Sequence, residues 1–446
     1  EIASSLVGSE MCISDRHNNQ KKKIAVIGSG IAGISASYLL SSKYNVHLFE
    51  KNNYLGGHTR TIKVSTDNNL SIDTGFIVFN DRNYPDLIKF FDHLDVQTTN
   101  SDMSFAVSDV DYNIEYGGKN LKSLFAQYKN IFNISYLKMI YEIYRFYKLC
   151  KYTKLDNITN NYTIEDFLQK NYFSSYLKEL HIYPLISSIW SANQIDISNF
   201  PLKLFINFFN NHDLFNFKDK PQWKFVQGGS NTYIKKIIEL DKFSFSLNTK
   251  IDKIIRSENN IKIINNDEEA VFDYIIIATH ADQALQIINN PTNNEKEILS
   301  KFDYTKNRAY LHSDRSMMPK NNKTWSSWNF IKSKKANTNF TLTYWMNNLQ
   351  KLETSKEYFV TINPEKIPEN THNETFFTHP KFNLQTMKSQ NKLKDLQGIN
   401  NTFFCGAYHG YGFHEDGIQS AVYISKMLGI DIPWKRDNNF YNRLLY

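Results

Sequence analysis

Gly28, Gly30 and Gly33 stand in GSGIAG, between the apolar run Ile24 to Ile27 and a helix-like stretch that reaches Ser42. At this spacing Gly28 permits a tight turn, Gly30 leaves room for a pyrophosphate against the backbone, and Gly33 lets a helix pack on a strand. The start of that helix offers free N–H groups and the positive end of its dipole to phosphate. Glu50 ends the next strand, Asn45 to Glu50, about twenty residues on, where a carboxylate can accept ribose hydroxyls. Its charge disfavours a ribose 2′-phosphate, so NADP is not expected. Such a glycine motif is common by chance, but here strand, turn, helix, strand and acid follow in order, and the chemistry they imply is dinucleotide binding.

A second glycine pair, Gly56 and Gly57, lies in KNNYLGGHTRT, where a nicotinamide dehydrogenase would continue with another βα unit. With Asp73-Thr74-Gly75 and a C-terminal glycine-rich strand-loop-helix, the pattern resembles the superfamily of flavin-containing amine oxidases and phytoene-type desaturases. DTGFIVFNDRNYPDLIKFFDHL, SDMSFAVS, LFAQYKN, TYWMNNLQ and YHGYGFHEDGIQSA are similar to a bacterial group of NAD/FAD-binding oxidoreductases. They are also similar to the oxidase-like domain that precedes the methyltransferase in plant cyclopropane-fatty-acid synthases. The resemblance runs from about Lys22 to about Leu428. It implies FAD as cofactor, a small-molecule or lipid acyl substrate, and a cyclopropane-synthase-like methyltransferase as a partner.

Residue by residue, the resemblance implies that Gly28, Gly30, Gly33, Glu50, Gly56 and Gly57 hold the ADP half of FAD. Ser29, Ile31, Lys51, Thr59 and Thr279 are assigned to the same cofactor site. Gly75 and Phe76 would lie near the flavin, and the backbone of Ile251, in the strand after Lys250, would meet adenine. Gly406 would sit beside the pyrophosphate and ribityl chain. A helix beginning near Gly417 would aim the N–H groups of Ile418 and Gln419 at the flavin N1–C2=O edge, favouring the anion formed when hydride arrives. Two positions depart from the amine-oxidase pattern: His58 replaces the usual Arg, and Ala407 replaces the usual acidic residue.

The catalytic candidates are His58, Tyr344, His414 and Glu415. His58 adjoins the glycine pair and would donate to phosphate, approach the flavin, or serve as a hydrogen-bonded packing residue. His414 and Glu415 would reach substrate, whereas Asp416 reads as a helix cap. Tyr344 and Trp345 would form an aromatic wall over the flavin or belong to the core. His181, His312 and His379 read as structural. No HxxxH, HExxH or cysteine cluster supports a metal site, and no GxSxG marks a serine nucleophile.

The elements that must position these residues suggest an α/β fold, a Rossmann-type FAD/NAD(P)-binding domain with an interwoven α+β substrate domain. Residues 22–100, 225–292 and 400–430 read as the discontinuous FAD-binding domain, and 101–224 and 293–399 as the substrate domain. Leu121 to Tyr183 has helical periodicity and reads as an insertion. SFSLNTKIDKIIRS, IKIIN and DYIIIATH supply three strand candidates. Ala309 to Thr361 reads as antiparallel strands with one face on a cavity. Residues 1–21 read as a disordered or artefactual tail, Met11 to Arg16 resembling a translated sequencing adapter, and 431–446 as a C-terminal tail.

Composition narrows the classes of function. The chain has 446 residues, 41% hydrophobic and 15% aromatic, with a formal charge of +7. Its lysines are scattered among asparagines rather than arrayed along one face, which argues against nucleic acid as a partner. Cys12, Cys150 and Cys405 make no framework, so a reducing, cytoplasmic compartment is expected. No window is apolar enough to span a bilayer. IFNISYLKMIYEIYRFYKL and NFPLKLFINFFNNHDLFNF would form a hydrophobic tunnel, a lip in peripheral contact with a membrane, or a packed helical subdomain. The expected activity is an FAD-dependent oxidoreductase of oxidase or desaturase type that takes hydride from an apolar, fatty-acyl substrate. The alternatives are an amine oxidase, a redox-neutral flavin isomerase, and a non-catalytic FAD-bound partner of a lipid methyltransferase.

Overall fold

The computed structural model describes residues 21–446 apart from 66, 160, 191–193, 217–219, 259, 333–340 and 437–439. All but the last residue of the N-terminal tail, Cys12 included, therefore lies outside the described residues. The β-branched run at the start makes β1 (Lys23–Ile27), a strand buried on both faces, as a parallel sheet covered by helices requires. Around it, β2 (Asn45–Phe49), β3 (Ser244–Ser246), β4 (Tyr274–Ile277) and β5 (Thr402–Phe404) form one parallel sheet in the order β3-β2-β1-β4-β5. Strands from three remote parts of the chain thus share one sheet, and their C-terminal ends bring Gly28, Thr279 and Gly406 together. The fold is α/β with a parallel and a mixed sheet.

Four helices matter for the site and its surroundings: α1 (Ile31–Leu40), α2 (Pro85–His93), α3 (Ile134–Tyr152) and α4 (His414–Met427). α1 is buried along its whole length between the sheet and α4. Its contact with α4 is close because a Cβ on Gly417 would stand 2.6 Å from Ile31 Cγ2. Two apolar clusters cover the two faces of the parallel sheet, one through Val26, Leu39 and Ile418, the other through Ala25, Ile27 and Phe404.

The second sheet has seven strands, in the order Thr371–Pro380, Tyr304–His312, Phe359–Ile362, Thr341–Trp345, Trp328–Lys332, Phe105–Asp109 and Ile114–Gly117. Neighbours are antiparallel except Trp328–Lys332, which runs parallel to Phe105–Asp109. That pairing joins residues far apart in sequence, which local alternation cannot reveal. A large aromatic core unites this sheet with the helices between Leu121 and Asn211.

Two details differ from expectation. SFSLNTKIDKIIRS is not one strand: Ser244–Ser246 joins the parallel sheet, while Lys253–Arg256 pairs with Ile261–Asn265 and Glu268–Phe272 in a separate antiparallel sheet. Asn248, left-handed at φ 54°, turns the chain between them. Ile251 accordingly lies in the connection before Lys253–Arg256, with its side chain in the core. The C-terminal tail packs onto the rest of the chain. Arg443 is fully buried and clasps Asp416, with Nε 2.9 Å from Oδ1 and Nη2 3.2 Å from Oδ2. Arg443 N–H also donates to Gln419 Oε1, and Leu445 N–H to the His409 carbonyl.

Breaking a buried pair from one side leaves an uncompensated charge. Arg443→Ala is therefore expected to destabilise the protein by about 3–5 kcal/mol in chemical denaturation. A loss below about 1 kcal/mol would mean that the C-terminal anchor is not structural.

Candidate active site

The glycine turn carries the features that a pyrophosphate needs. Gly28 has φ +96°, and a Cβ there would lie 3.0 Å from the Ala278 carbonyl oxygen at the end of β4. A Cβ on Gly33 would come within 1.8 Å of the Gly28 carbonyl oxygen, so helix and turn touch only through glycine. Gly30 is different, because nothing lies within 4 Å of the position its Cβ would occupy. Open space therefore faces the backbone at the start of α1, where phosphate oxygens can meet free N–H groups. Gly57, in the second glycine pair, approaches the Gly30 backbone away from that opening, its Cβ position 3.1 Å from Gly30 Cα.

Ser29 ties these parts together. Its N–H and hydroxyl donate to Glu50 Oε2 at 3.0 and 2.6 Å, and Gly56 N–H donates to both the Ser29 carbonyl and Oγ at 3.1 Å. Glu50 Oε1 accepts from Asn52 N–H at 2.9 Å. Two carboxylate oxygens offer about four acceptor sites, so capacity remains for a ribose hydroxyl. The glycines, the buried carboxylate and the open space at Gly30 fit the ADP half of FAD. Gly406 lies on the same sheet edge, its N–H donating to Ser420 Oγ at 2.9 Å, and Ala407 opens the short helical turn Ala407–His409. Lys51 is close enough to depress the nearby His280.

His58 is held by what surrounds the second glycine pair. Its carbonyl accepts Phe76 N–H at 2.7 Å, and a Cβ on Gly75 would lie only 2.2 Å from that oxygen. The ring stacks on Phe377 at 5.0 Å, and His379 and His280 stand at 5.3 and 6.5 Å. Phe76 in turn stacks on His414 at 3.6 Å, while His414 Nε2 meets Thr59 Oγ1 at 3.0 Å and Thr59 Oγ1 meets Tyr233 OH at 2.5 Å. The Thr59 hydroxyl is thus engaged within the protein. Burial lowers the imidazoles: His58 to about 4, His280 and His379 to about 3, and His414 well below its ordinary value. All four are neutral at pH 7.

His379, read as structural, and His280, which drew no attention in the sequence, therefore belong beside His58. The signal for the first was present: in TFFTHP, Phe377 and His379 alternate onto one face of a strand. His280 follows Thr279 directly after β4, the usual position for a ligand-facing residue in a parallel sheet. His181 and His312 stand elsewhere, His181 between Tyr116 and Tyr147, and His312 against Thr361. Among the described residues no group of three His, Cys, Asp or Glu is arranged to hold a metal ion.

The C-terminal motif is organised differently from the expectation. α4 starts at His414, not near Gly417, because Asp416 caps it by accepting Phe413 N–H at 2.7 Å. The unsatisfied N–H groups of its first turn belong to His414, Glu415 and Asp416. Ile418 and Gln419 lie inside the helix, where their N–H groups serve intrahelical bonds. Gln419 also bonds Glu415 and the Tyr441 carbonyl through its side chain. Gly417 contributes close packing on Ile31, so the first turns of α1 and α4 abut.

Glu415 faces away from the histidines. Its carboxylate accepts Asp86 and Leu87 N–H at 3.0 and 2.9 Å, capping α2, and burial with the nearby Asp86 charge raises its pKa. Tyr344 and Trp345 do not share a wall, since successive strand residues point to opposite faces. Tyr344 packs edge-on against Trp328 at 4.8 Å, and Trp345 against Trp325 at 5.6 Å.

Two outcomes follow from this geometry. Gly30 has φ −59°, open to any residue, so Gly30→Val is expected to keep the fold but reduce flavin content about tenfold or more by absorbance of the purified protein. Full flavin content would contradict the assignment. Histidines depressed by burial give stability that is complete above their unfolded value near 6.5 and is lost as pH falls through the folded value. The thermal midpoint should therefore drop from about pH 6.5 toward about pH 4. A His58→Asn/His379→Asn variant should show a flatter profile, and an unchanged slope would contradict the cluster.

Similarity to known proteins agrees with the geometry. The chain superposes on the CLA-producing fatty acid isomerase from P. acnes with a TM-score of 0.67 at 14% identity, covering 92% of this chain and 98% of that one. Cyclohexylamine oxidase from Brevibacterium oxydans IH-35A gives 0.63 at 14% identity, over 92% and 100%. Putrescine oxidase bound to putrescine gives 0.64 at 11% identity, over 91% and 98%. These likenesses show a shared fold. No curated protein sequence matches the chain. The model of the flavin containing amine oxidoreductase family matches residues 31–314, most of the chain, from the start of α1 through Glu50, the second glycine pair and His280. The chain belongs to that family and is an FAD-dependent oxidoreductase.

Proposed function

We propose that the enzyme desaturates or otherwise oxidises an apolar, fatty-acyl substrate, passing hydride from a C–H bond to FAD. The observation that carries this reading is the engagement of the two carboxylates that open α4. Glu415 caps α2 and Asp416 is clasped by Arg443, so neither is directed at an incoming ammonium group. The rings gathered about His58 are neutral imidazoles and phenylalanines, and the charge that acts on them, Lys51, is itself a cation. Such a lining accepts an alkyl chain readily, whereas an ammonium group would lose hydration there without an anionic partner. The similarity of YGFHEDG to the oxidase-like domain of plant cyclopropane-fatty-acid synthases supports an acyl substrate, as does the fold shared with a fatty acid isomerase.

When bound, FAD supplies the two-electron acceptor. The chain's residues supply the rest. The abutting first turns of α1 and α4 set positive dipole ends where negative charge accumulates. Phe76 and Phe377 hold His414 and His58 and keep water from the reacting carbons. Desaturation breaks two C–H bonds, one as hydride and one as a proton. A neutral ring nitrogen of His58 or His414 is an available acceptor for that proton.

Anaerobic addition of an oleoyl substrate in mixed micelles tests the proposal. Bleaching of the flavin band with loss of two hydrogens from the acyl chain is expected. A shifted double bond at unchanged mass, with the flavin band restored, would replace oxidation by isomerisation. Bleaching by cyclohexylamine or putrescine, with none by the acyl substrate, would overturn the acyl reading.

A further inference from the structure

We infer that the outer face of α3 and the turn before it dock on an anionic lipid bilayer. α3 buries Tyr136, Met139, Phe146 and Cys150, together with Glu142, against the helical subdomain. Its opposite face nevertheless exposes Ile134 (82%), Leu137 (41%) and Tyr141 (64%), at the i, i+3, i+7 spacing of one helical stripe, and Tyr152 (72%) at its end. Phe132 (85%) and Leu121 (74%) extend the same exposure into the preceding segment. Apolar side chains scattered singly over a surface need no explanation, whereas a continuous stripe with polar flanks marks an interaction site.

The charges beside the stripe identify the occupant. Lys122, Lys129, Lys138, Lys148, Lys151 and Lys154 are all exposed along this segment. The carboxylate between Leu121 and Lys154, Glu142, is turned inward, accepting Ser174 N–H. An apolar and aromatic stripe bordered by lysines is the pattern of a helix lying in the membrane interface, its rings among the acyl boundary and its ammonium groups at phosphate. Nineteen residues extend over roughly 28 Å, so contact would run along a broad strip of headgroups. No helix of the described residues is long and apolar enough to cross a membrane, which leaves contact in the plane. Self-association through this face would bring two rows of lysine together, at an electrostatic cost. The inference stands on this surface alone and holds whichever substrate the enzyme takes.

Sedimentation of the intact flavoprotein with phosphatidylcholine vesicles, with and without phosphatidylglycerol, is the test. Binding is expected only with phosphatidylglycerol present and should weaken as salt is raised. Lys129→Gln/Lys148→Gln should reduce it on the order of 25-fold, at about fivefold per lysine. Ile134→Ser/Tyr141→Ser should reduce it further without changing the thermal midpoint, since both sites are exposed. A fluorophore on Phe132→Cys should shift to the blue on the same vesicles, which gives a readout that does not depend on the loss-of-binding variants. No sedimentation with anionic vesicles and no shift of the fluorophore would overturn the inference. So would a dimer, or a complex with another protein, that the two serine substitutions abolish while vesicle binding is absent.

Discussion

The first turns of α1 and α4 can lie against one another only because Gly417 carries no side chain, and the cofactor site depends on that contact. A Cβ at Gly417 would press into Ile31 at 2.6 Å, and a Cβ at Gly33 would press into Gly28 at 1.8 Å. Glycine at these two positions lets two helix starts and the end of β1 converge. Each start leaves N–H groups without intrahelical acceptors, so two positive dipole ends meet at one place. Phosphate and a reduced flavin are both anionic, and both are served by such a concentration of donors. The Ser29, Glu50 and Gly56 bonds then fix the turn from one side, while Gly57 crowds it from the other.

The same constraint explains the acidic pair that opens α4. Carboxylates in the first turn would ordinarily be drawn to the helix end and would repel an anionic ligand there. Here Asp416 is neutralised by Arg443, carried in from the C-terminal residues, and Glu415 is engaged by the start of α2. Both acids therefore act as structural links between segments remote in sequence, while Phe76 joins the two histidines, its ring stacked on His414 and its N–H donating to the His58 carbonyl. Burial keeps these rings neutral, so no fixed charge stands where an apolar chain would lie.

Much of the parallel sheet was legible in the sequence because its signals are local. GSGIAG follows a β-branched run, Glu50 ends the next one, and TFFCG repeats the strand-to-glycine transition. What escaped was set by contacts between distant segments. The start of α4 is fixed by a cap and by Arg443, some 27 residues on, so the sequence placed it near Gly417. Glu415 looked like a catalytic acid because nothing nearby in the chain announces that α2 needs it. His280 and His379 join His58 only once β4 and the strand Thr371–Pro380 are assembled. Tyr344 and Trp345 were paired by adjacency, although strand alternation already separates them.

FAD, held by these glycines and helix starts, stands at the centre of both fold and chemistry. The most direct test is the visible spectrum of the purified protein together with mass identification of the cofactor it releases on denaturation. A yellow protein that releases FAD is expected. A colourless protein, or one that releases NAD instead, would contradict the account.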